Sequence, residues 1–187
     1  MLNLIVGLGN PGERHKNTRH NLGYRVVDFL AEKNKKSFKP GGGEFLFCEI
    51  GIKEEKIYLT KPVTFMNVSG VAVIDTLNNF NLGIENLLVV CDDVNLPLGK
   101  IRIKEKGSDG GHKGLRSIIY QLNSIDFARL RMGIGEVPEK IDLEEFVLQD
   151  FKEEEKEKVN EMLEEAALAV ENTLTNGIEY SMNRFNV

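Results

Sequence analysis

Four short clusters hold the residues whose types and spacing could do chemistry. Asn10 and His20 flank a loop that opens with Gly7-Leu8-Gly9-Asn10-Pro11-Gly12. The others are Phe65-Met66-Asn67-Val68-Ser69-Gly70, Asp92-Asp93-Val94-Asn95-Leu96-Pro97 and Gly110-Gly111-His112-Lys113-Gly114. An imidazole backed by a carboxylate is equipped as a general base, a role that contributes about 10²–10⁴-fold. Asn side chains can orient water or hold an oxyanion. Together these are parts for hydrolysis by an activated water. No serine sits in a nucleophile elbow, and neither Cys48 nor Cys91 adjoins a histidine, so covalent catalysis has no support. The three histidines lack zinc spacing. Taken singly, each cluster also has a plainer reading: Asn10 as a turn residue, Met66 as core, Asp92 as the end of a strand.

The elements that must position these clusters follow from apolar periodicity. Strands are expected at Leu2–Val6, Glu44–Ile50, Lys56–Lys61, Leu87–Cys91, Lys100–Lys104 and Arg129–Ile134. Helical spacing covers Asn21–Lys33, Ser69–Phe80, Gly114–Leu122, Phe151–Leu174 and a short Ile178–Phe185, with Ser69 a candidate cap. Alternating strands and helices predict a single-domain, three-layer α/β/α fold over residues 1–187, around a mixed, mostly parallel twisted central sheet. The Glu44–Lys61 stretch reads as an antiparallel hairpin, and Lys39–Gly43 as a flexible loop. Several clusters then fall at strand ends, where open α/β folds build their sites.

Two glycine-rich stretches imitate nucleotide sites. Gly7 to Gly12 matches G-x-G-x-x-G, but Pro11 and a charged loop stand where a helix must open, and no acid-terminated second strand follows. Gly107 to Gly114 resembles a phosphate loop, yet no hydroxyl follows Lys113 to hold magnesium.

Composition excludes other classes. At 187 residues with 41% hydrophobic content, the chain can bury an ordinary core, and no apolar run approaches a membrane span. No secretory leader is evident, and Cys48 and Cys91 both lie in apolar stretches, which together suit a cytoplasmic protein with reduced thiols. The net charge of −5 conceals an asymmetry. Lys100 to Arg131 carries eight Lys/Arg against three acids, whereas Glu139 to Glu171 is strongly acidic. If Lys100, Arg102, Lys104 and Lys106 share a strand, alternation puts all four on one face.

The four clusters, with Thr18-Arg19-His20-Asn21-Leu22-Gly23 and Arg129-Leu130-Arg131-Met132-Gly133-Ile134-Gly135, closely resemble the bacterial peptidyl-tRNA hydrolase family, in order and spacing across essentially the whole chain. The resemblance implies a monomeric enzyme without metal or cofactor. It would cleave the ester between a peptide and the 3′ ribose of tRNA, recycling tRNA from aborted translation. By position, His20 is then the base, Asp92 its polarising partner, and Asn10 the contact to the peptidyl end. Asn67 positions substrate or water, with His15, Phe65, Met66, Gly111 and Lys113 around it. Lys104 and Arg131 match a pair that clamps the 5′ phosphate of the tRNA. Three residues depart from the common pattern: His15 for Tyr, Asn95 for Asp and Lys113 for Asn. Lys113 offers donors without an acceptor, which suits a phosphate or ribose oxygen. The alternative is a catalytically idle RNA-binding relative of the same fold; it predicts loss of His20 or Asp92, and both are present.

Overall fold

The protein is described from a computed structural model covering residues 2–186. Seven strands form one sheet: β1 (Leu4–Gly7), β2 (Lys39–Pro40), β3 (Phe45–Ile52), β4 (Glu55–Pro62), β5 (Leu87–Asp93), β6 (Ile101–Lys104) and β7 (Ala128–Gly133). Their order is β2-β3-β4-β1-β5-β7-β6. The four central strands β4, β1, β5 and β7 run parallel. The flanks β2, β3 and β6 add antiparallel. Among the described residues the α-helices are α1 (Leu22–Lys33), α2 (Ser69–Phe80), α3 (Lys113–Leu122), α4 (Leu143–Val147), α5 (Lys156–Asn176) and α6 (Ile178–Phe185).

Strand alternation splits the apolar residues into two cores. Leu88 and Val90 of β5 face one core with residues of α1, α5 and α6. Leu87, Val89 and Cys91 face the other, with residues of α2 and α3. Cys48 belongs to the first core and Cys91 to the second, so the sheet separates the two free thiols.

The glycine-rich start of the chain serves packing. A Cβ on Gly23 would lie 2.3 Å from both the Leu8 nitrogen and the Val90 oxygen, and one on Gly7 would lie 2.2 Å from the Gly23 oxygen. A Cβ on Gly9 would strike the Tyr24 ring. These glycines let α1 enter tightly over the ends of β1 and β5. The G-x-G-x-x-G resemblance therefore has a structural cause unrelated to a dinucleotide.

Several expected boundaries move. Asp92 and Asp93 are the last residues of β5 and not part of the loop after it. Ser69 is the first residue of α2 and not its cap; its hydroxyl donates backwards to the Met66 carbonyl at 2.8 Å. The turn Met66–Val68 already supplies the entry. Strand β6 covers Ile101–Lys104 alone, so Lys100 and Lys106 lie outside it and the single four-cation face is not formed. Part of the Lys39–Gly43 loop is strand β2. Helix α4 has five residues, too few to show a period in sequence.

Gly23→Ala is expected to destabilise the protein by about 1–3 kcal/mol, because the new methyl meets backbone and not a movable side chain. Urea unfolding of the variant measures this. A stability equal to the parent's would mean that α1 can lift off the sheet without loss.

Candidate active site

His20 lies in a single 3-10 turn, Arg19–Asn21, immediately before α1. Its neighbour fixes that turn. Arg19 is buried, donates to the carbonyls of Gln149 at 3.3 Å and Asp150 at 2.6 Å, and pairs with Glu155 at 2.8 Å. Its guanidinium also stacks 4.4 Å from the Phe146 ring centroid and 4.8 Å from that of Phe151. Asn21 locks the other side through paired bonds with the Asn10 backbone, at 2.9 and 3.0 Å.

His20 Nδ1 donates to Asp92 Oδ1 at 2.8 Å. The same oxygen accepts from His112 Nε2 at 3.0 Å. His112 is the N-cap of α3, and its Nδ1 accepts the backbone N–H groups of Gly114 and Leu115 at 3.1 and 3.2 Å. That nitrogen is an acceptor, so the proton of neutral His112 sits on Nε2 and points at Asp92. Burial by itself pushes the Asp92 carboxyl up. The charges and hydrogen bonds of His20 and His112 outweigh it and hold the group below the usual carboxylate range. Asp92 is thus ionised, and His20 is left with Nε2 as its basic nitrogen.

Spacing in sequence could not reveal that His20, Asp92 and His112 bring ligand-type atoms within 4.8 Å of one another. The set has the composition of a metal site. The tautomer argues against its use as one. A metal on His112 Nε2 would displace the proton that the cap requires there.

The cluster lies in a pocket of about 690 Å³. Asn10, His15, His20, Phe65, Met66, Asn67, Asp92, Gly111 and Lys113 line it, and so does Arg131, which the sequence reading set apart with Lys104 as a phosphate clamp. Asn10 is buried and its Oδ1 accepts from the Met66 N–H at 2.8 Å, which directs its amide NH₂ to the pocket. Arg14 Nε donates to His15 Nε2 at 2.9 Å, and burial, then the Arg14 charge, pushes the His15 pKa down. Leu143, Val147 and Leu148, in and just after α4, add an apolar wall that the sequence does not announce.

The cations divide. Lys104 is exposed on β6 and does not line the pocket. Arg131 does, but it is paired with the buried Asp93 carboxylate at 2.5 Å. Asn95 supports that pair by donating its backbone and side-chain N–H to Asp93 Oδ1, at 2.9 and 3.2 Å. An Asp at 95 lacks the side-chain donor. Lys113 is no free cation either, since it meets Glu144 of α4 at 2.6 Å. Arg129 leaves the basic patch altogether: it is buried and donates to the carbonyls of Gly107, Ser108, Ile125 and Phe127.

A buried imidazole, held by an ionised aspartate and opening onto a pocket with amide donors and an apolar wall, is the equipment of a water-activating ester hydrolase. Comparison with known proteins agrees. The profile of the family described as peptidyl-tRNA hydrolase matches residues 4–187. A peptidyl-tRNA hydrolase of Caldanaerobacter subterraneus subsp. tengcongensis is 50% identical over 98% of both chains. One of Chlorobium phaeobacteroides is 44% identical over 99% of this chain and 98% of its own. The crystal structure of the Acinetobacter baumannii peptidyl-tRNA hydrolase superposes with a TM-score of 0.93 at 32% identity, over 100% of this chain and 95% of that one. The chain belongs to the peptidyl-tRNA hydrolase family.

His112 and Arg19 are the residues that sequence reasoning missed. For His112 there was a signal, an imidazole at the cap position of a predicted helix. For Arg19 there was none, because an arginine in a charged loop reads as solvated. His112→Ala is expected to lower stability by about 1 kcal/mol, the worth of a side-chain cap. It should also lower turnover by more than that stability loss explains, since Asp92 keeps one donor in place of two. Thermal melts and steady-state rates test the two effects separately; an unchanged turnover would make His112 a cap and nothing else.

Proposed function

We propose that His20 is the general base with which this chain hydrolyses the ester joining a peptide to the 3′ ribose of tRNA. The observation carrying this reading is the 2.8 Å bond from His20 Nδ1 to the buried Asp92, which leaves Nε2 basic at the pocket wall. A water bound to Nε2 gives up its proton to the ring as its oxygen attacks the ester carbonyl. Asp92 stabilises the imidazolium so formed. Amide groups of Asn10 and Asn67 donate to the developing oxyanion or to the peptide carbonyls. Collapse of the tetrahedral intermediate breaks the bond to the 3′ oxygen, which takes its proton from His20. Peptide acid and tRNA leave, and the base is restored.

His15, Phe65, Met66 and Gly111 surround the peptidyl end. Lys104 and Arg131 face the phosphates of the acceptor stem. Lys113 reaches a 3′-end oxygen when that oxygen displaces Glu144. The chain acts as a monomeric, metal-free, cytoplasmic enzyme, with residues 1–187 as one catalytic domain. Among the described residues no helix is long and apolar enough to cross a membrane.

The deciding experiment is release of an N-acetylated amino acid from tRNA, with unblocked aminoacyl-tRNA as control, run with and without EDTA. Cleavage of the blocked substrate at equal rates in both conditions is expected. His20→Ala should lose at least about 10²-fold in kcat, with tRNA affinity nearly intact. Asp92→Asn should lose less, since an Asn oxygen can still accept from both rings. A His20→Ala rate within tenfold of the parent would remove His20 as base.

The two phosphate-side cations should separate. Lys104→Ala removes an exposed charge, so the slope of log affinity against log salt should flatten by somewhat under one, with stability unchanged. Arg131→Ala should flatten it similarly and also lower stability, because it strands the buried Asp93 carboxylate. Equal stabilities for the two variants would show that the Asp93 pair contributes nothing.

A further inference from the structure

The turn that carries His20 does not hold its own shape. It spans Arg19–Asn21, and its own bonds run from the Asn21 N–H to the Thr18 carbonyl, at 3.1 Å, and from the Leu22 N–H to the Arg19 carbonyl. A 3-10 piece this short has little stability of its own, so contacts of its neighbours set the direction of the ring. Arg19 does not line the pocket. Its side-chain partners all lie in one segment, from Phe146 to Glu155. Main-chain contacts reach the same segment: the Arg19 N–H donates to the Gln149 carbonyl at 3.0 Å, and Thr18 forms an antiparallel bridge with Asp150. Glu155 Oε2 is itself held, accepting the Lys152 N–H at 2.7 Å. The other end of the segment is α4, whose Leu143, Glu144 and Val147 line the pocket while Phe146 meets Arg19.

Stability alone does not account for an arginine here. Two aromatic rings flank the guanidinium, and its buried Nε–H meets no acceptor among the described residues. Replacing a buried ion pair by apolar side chains of similar volume is often neutral or stabilising. What an apolar side chain lacks is direction, since a planar guanidinium holds several acceptors at set angles. We propose that Arg19 is a positioning residue for the hydrolysis. It ties the direction of the His20 ring to the place of the α4 wall, so the rate of the chemical step depends on packing outside the pocket. The proposal rests on the reading of His20 as base and adds a requirement to it. Arg19 touches none of the reacting groups and acts only through the turn. A displacement of about 1 Å at a catalytic group costs roughly 10²-fold in rate, so a loosened turn is felt in kcat before it is felt in binding.

The test uses the whole chain and three variants, Arg19→Met, Arg19→Lys and Phe146→Leu. Each is followed by thermal melting, by kcat and KM on an N-acetylaminoacyl-tRNA, and by the downfield proton NMR resonance of His20 Nδ1–H, identified by its loss in His20→Ala. Arg19→Met is expected to fold and to keep its KM within about twofold, because no substrate contact is lost. Its kcat should fall roughly ten- to a hundredfold, with the resonance broadened by exchange with water. Arg19→Lys keeps a charge beside Glu155 without the fork, so it should recover only part of that kcat. Phe146→Leu leaves the pocket lining untouched and should lose roughly threefold in kcat, since one of the two ring contacts remains. A folded Arg19→Met with the parent's kcat and resonance overturns the proposal. So does a raised KM with kcat intact, which would make Arg19 a prop of the pocket wall. If Arg19→Met does not fold, Phe146→Leu decides in its place, and a parental kcat and resonance there overturn the proposal. If the parent cleaves nothing, it is the hydrolase reading that fails, and the resonance alone still tests whether Arg19 holds His20.

Discussion

The buried carboxylate of Asp92 sets the terms for the rest of the site. Removing an ion from water costs several kcal/mol even after the protein relaxes, and the loss is offset only where donors converge on the charge. Asp92 finds them in both helical layers. His20 comes from the turn before α1, on one face of the sheet, and His112 from the cap of α3, on the other. One oxygen at the end of β5 therefore ties together chain positions 20, 92 and 112. The arrangement also settles the tautomers. Because α3 uses His112 Nδ1, Asp92 must receive Nε2–H, and because Asp92 receives His20 Nδ1–H, the remaining nitrogen of His20 is left to accept a proton, as the proposed mechanism requires.

A base is useful only if it is held still, and the surroundings of His20 are built for that. Gly7 and Gly23 allow the first turn of α1 to touch backbone at the strand ends, a distance no side chain permits. Arg19 then fastens the turn to α4 and to the segment that follows it, through two carbonyls, Glu155 and two aromatic rings. The apolar wall of the pocket and the position of the base thus share an anchor. A disturbance near Phe146 or Phe151 is felt at His20 through Arg19, although neither ring lines the pocket.

Much of this was legible in the sequence because its carriers are local. Apolar periodicity marks β5, α2 and α6, and α2 and α6 have the boundaries expected of them. Strand–helix alternation alone places several of the four clusters at strand ends. What was not legible depends on partners distant in sequence. The roles of His112 and Arg19 require knowing that residue 112 meets 92 and residue 19 meets 150 and 155. The pairs Arg131–Asp93 and Lys113–Glu144 escape for the same reason: a charge count treats every cation as free. Ser69 misled because a serine before an apolar run is a good cap in general, while here a preceding turn had already satisfied the helix start.

Net charge is the coarsest of these signals, and the fold explains why it misleads for a chain that acts on RNA. Arg19 and Arg129 are both buried and committed to backbone carbonyls, so neither contributes to an outer field. On β6, Ile101 and Ile103 turn into the core shared with α5, and alternation sends Arg102 and Lys104 to the opposite, exposed face. Arg131 lies directly across from Arg102 in the ladder and so joins them. The acidic residues of α5 lie on the far side of the sheet from this cationic face. A helix layer stands roughly 10 Å from a sheet, and at physiological salt the screening length is about 8 Å. The acids that make the whole chain negative are therefore largely screened from the face of β6 and β7, where the proposed function seats a phosphate. The charge of that face is set by the period of two along one short strand, a property of the local sequence that the sum of charges erases.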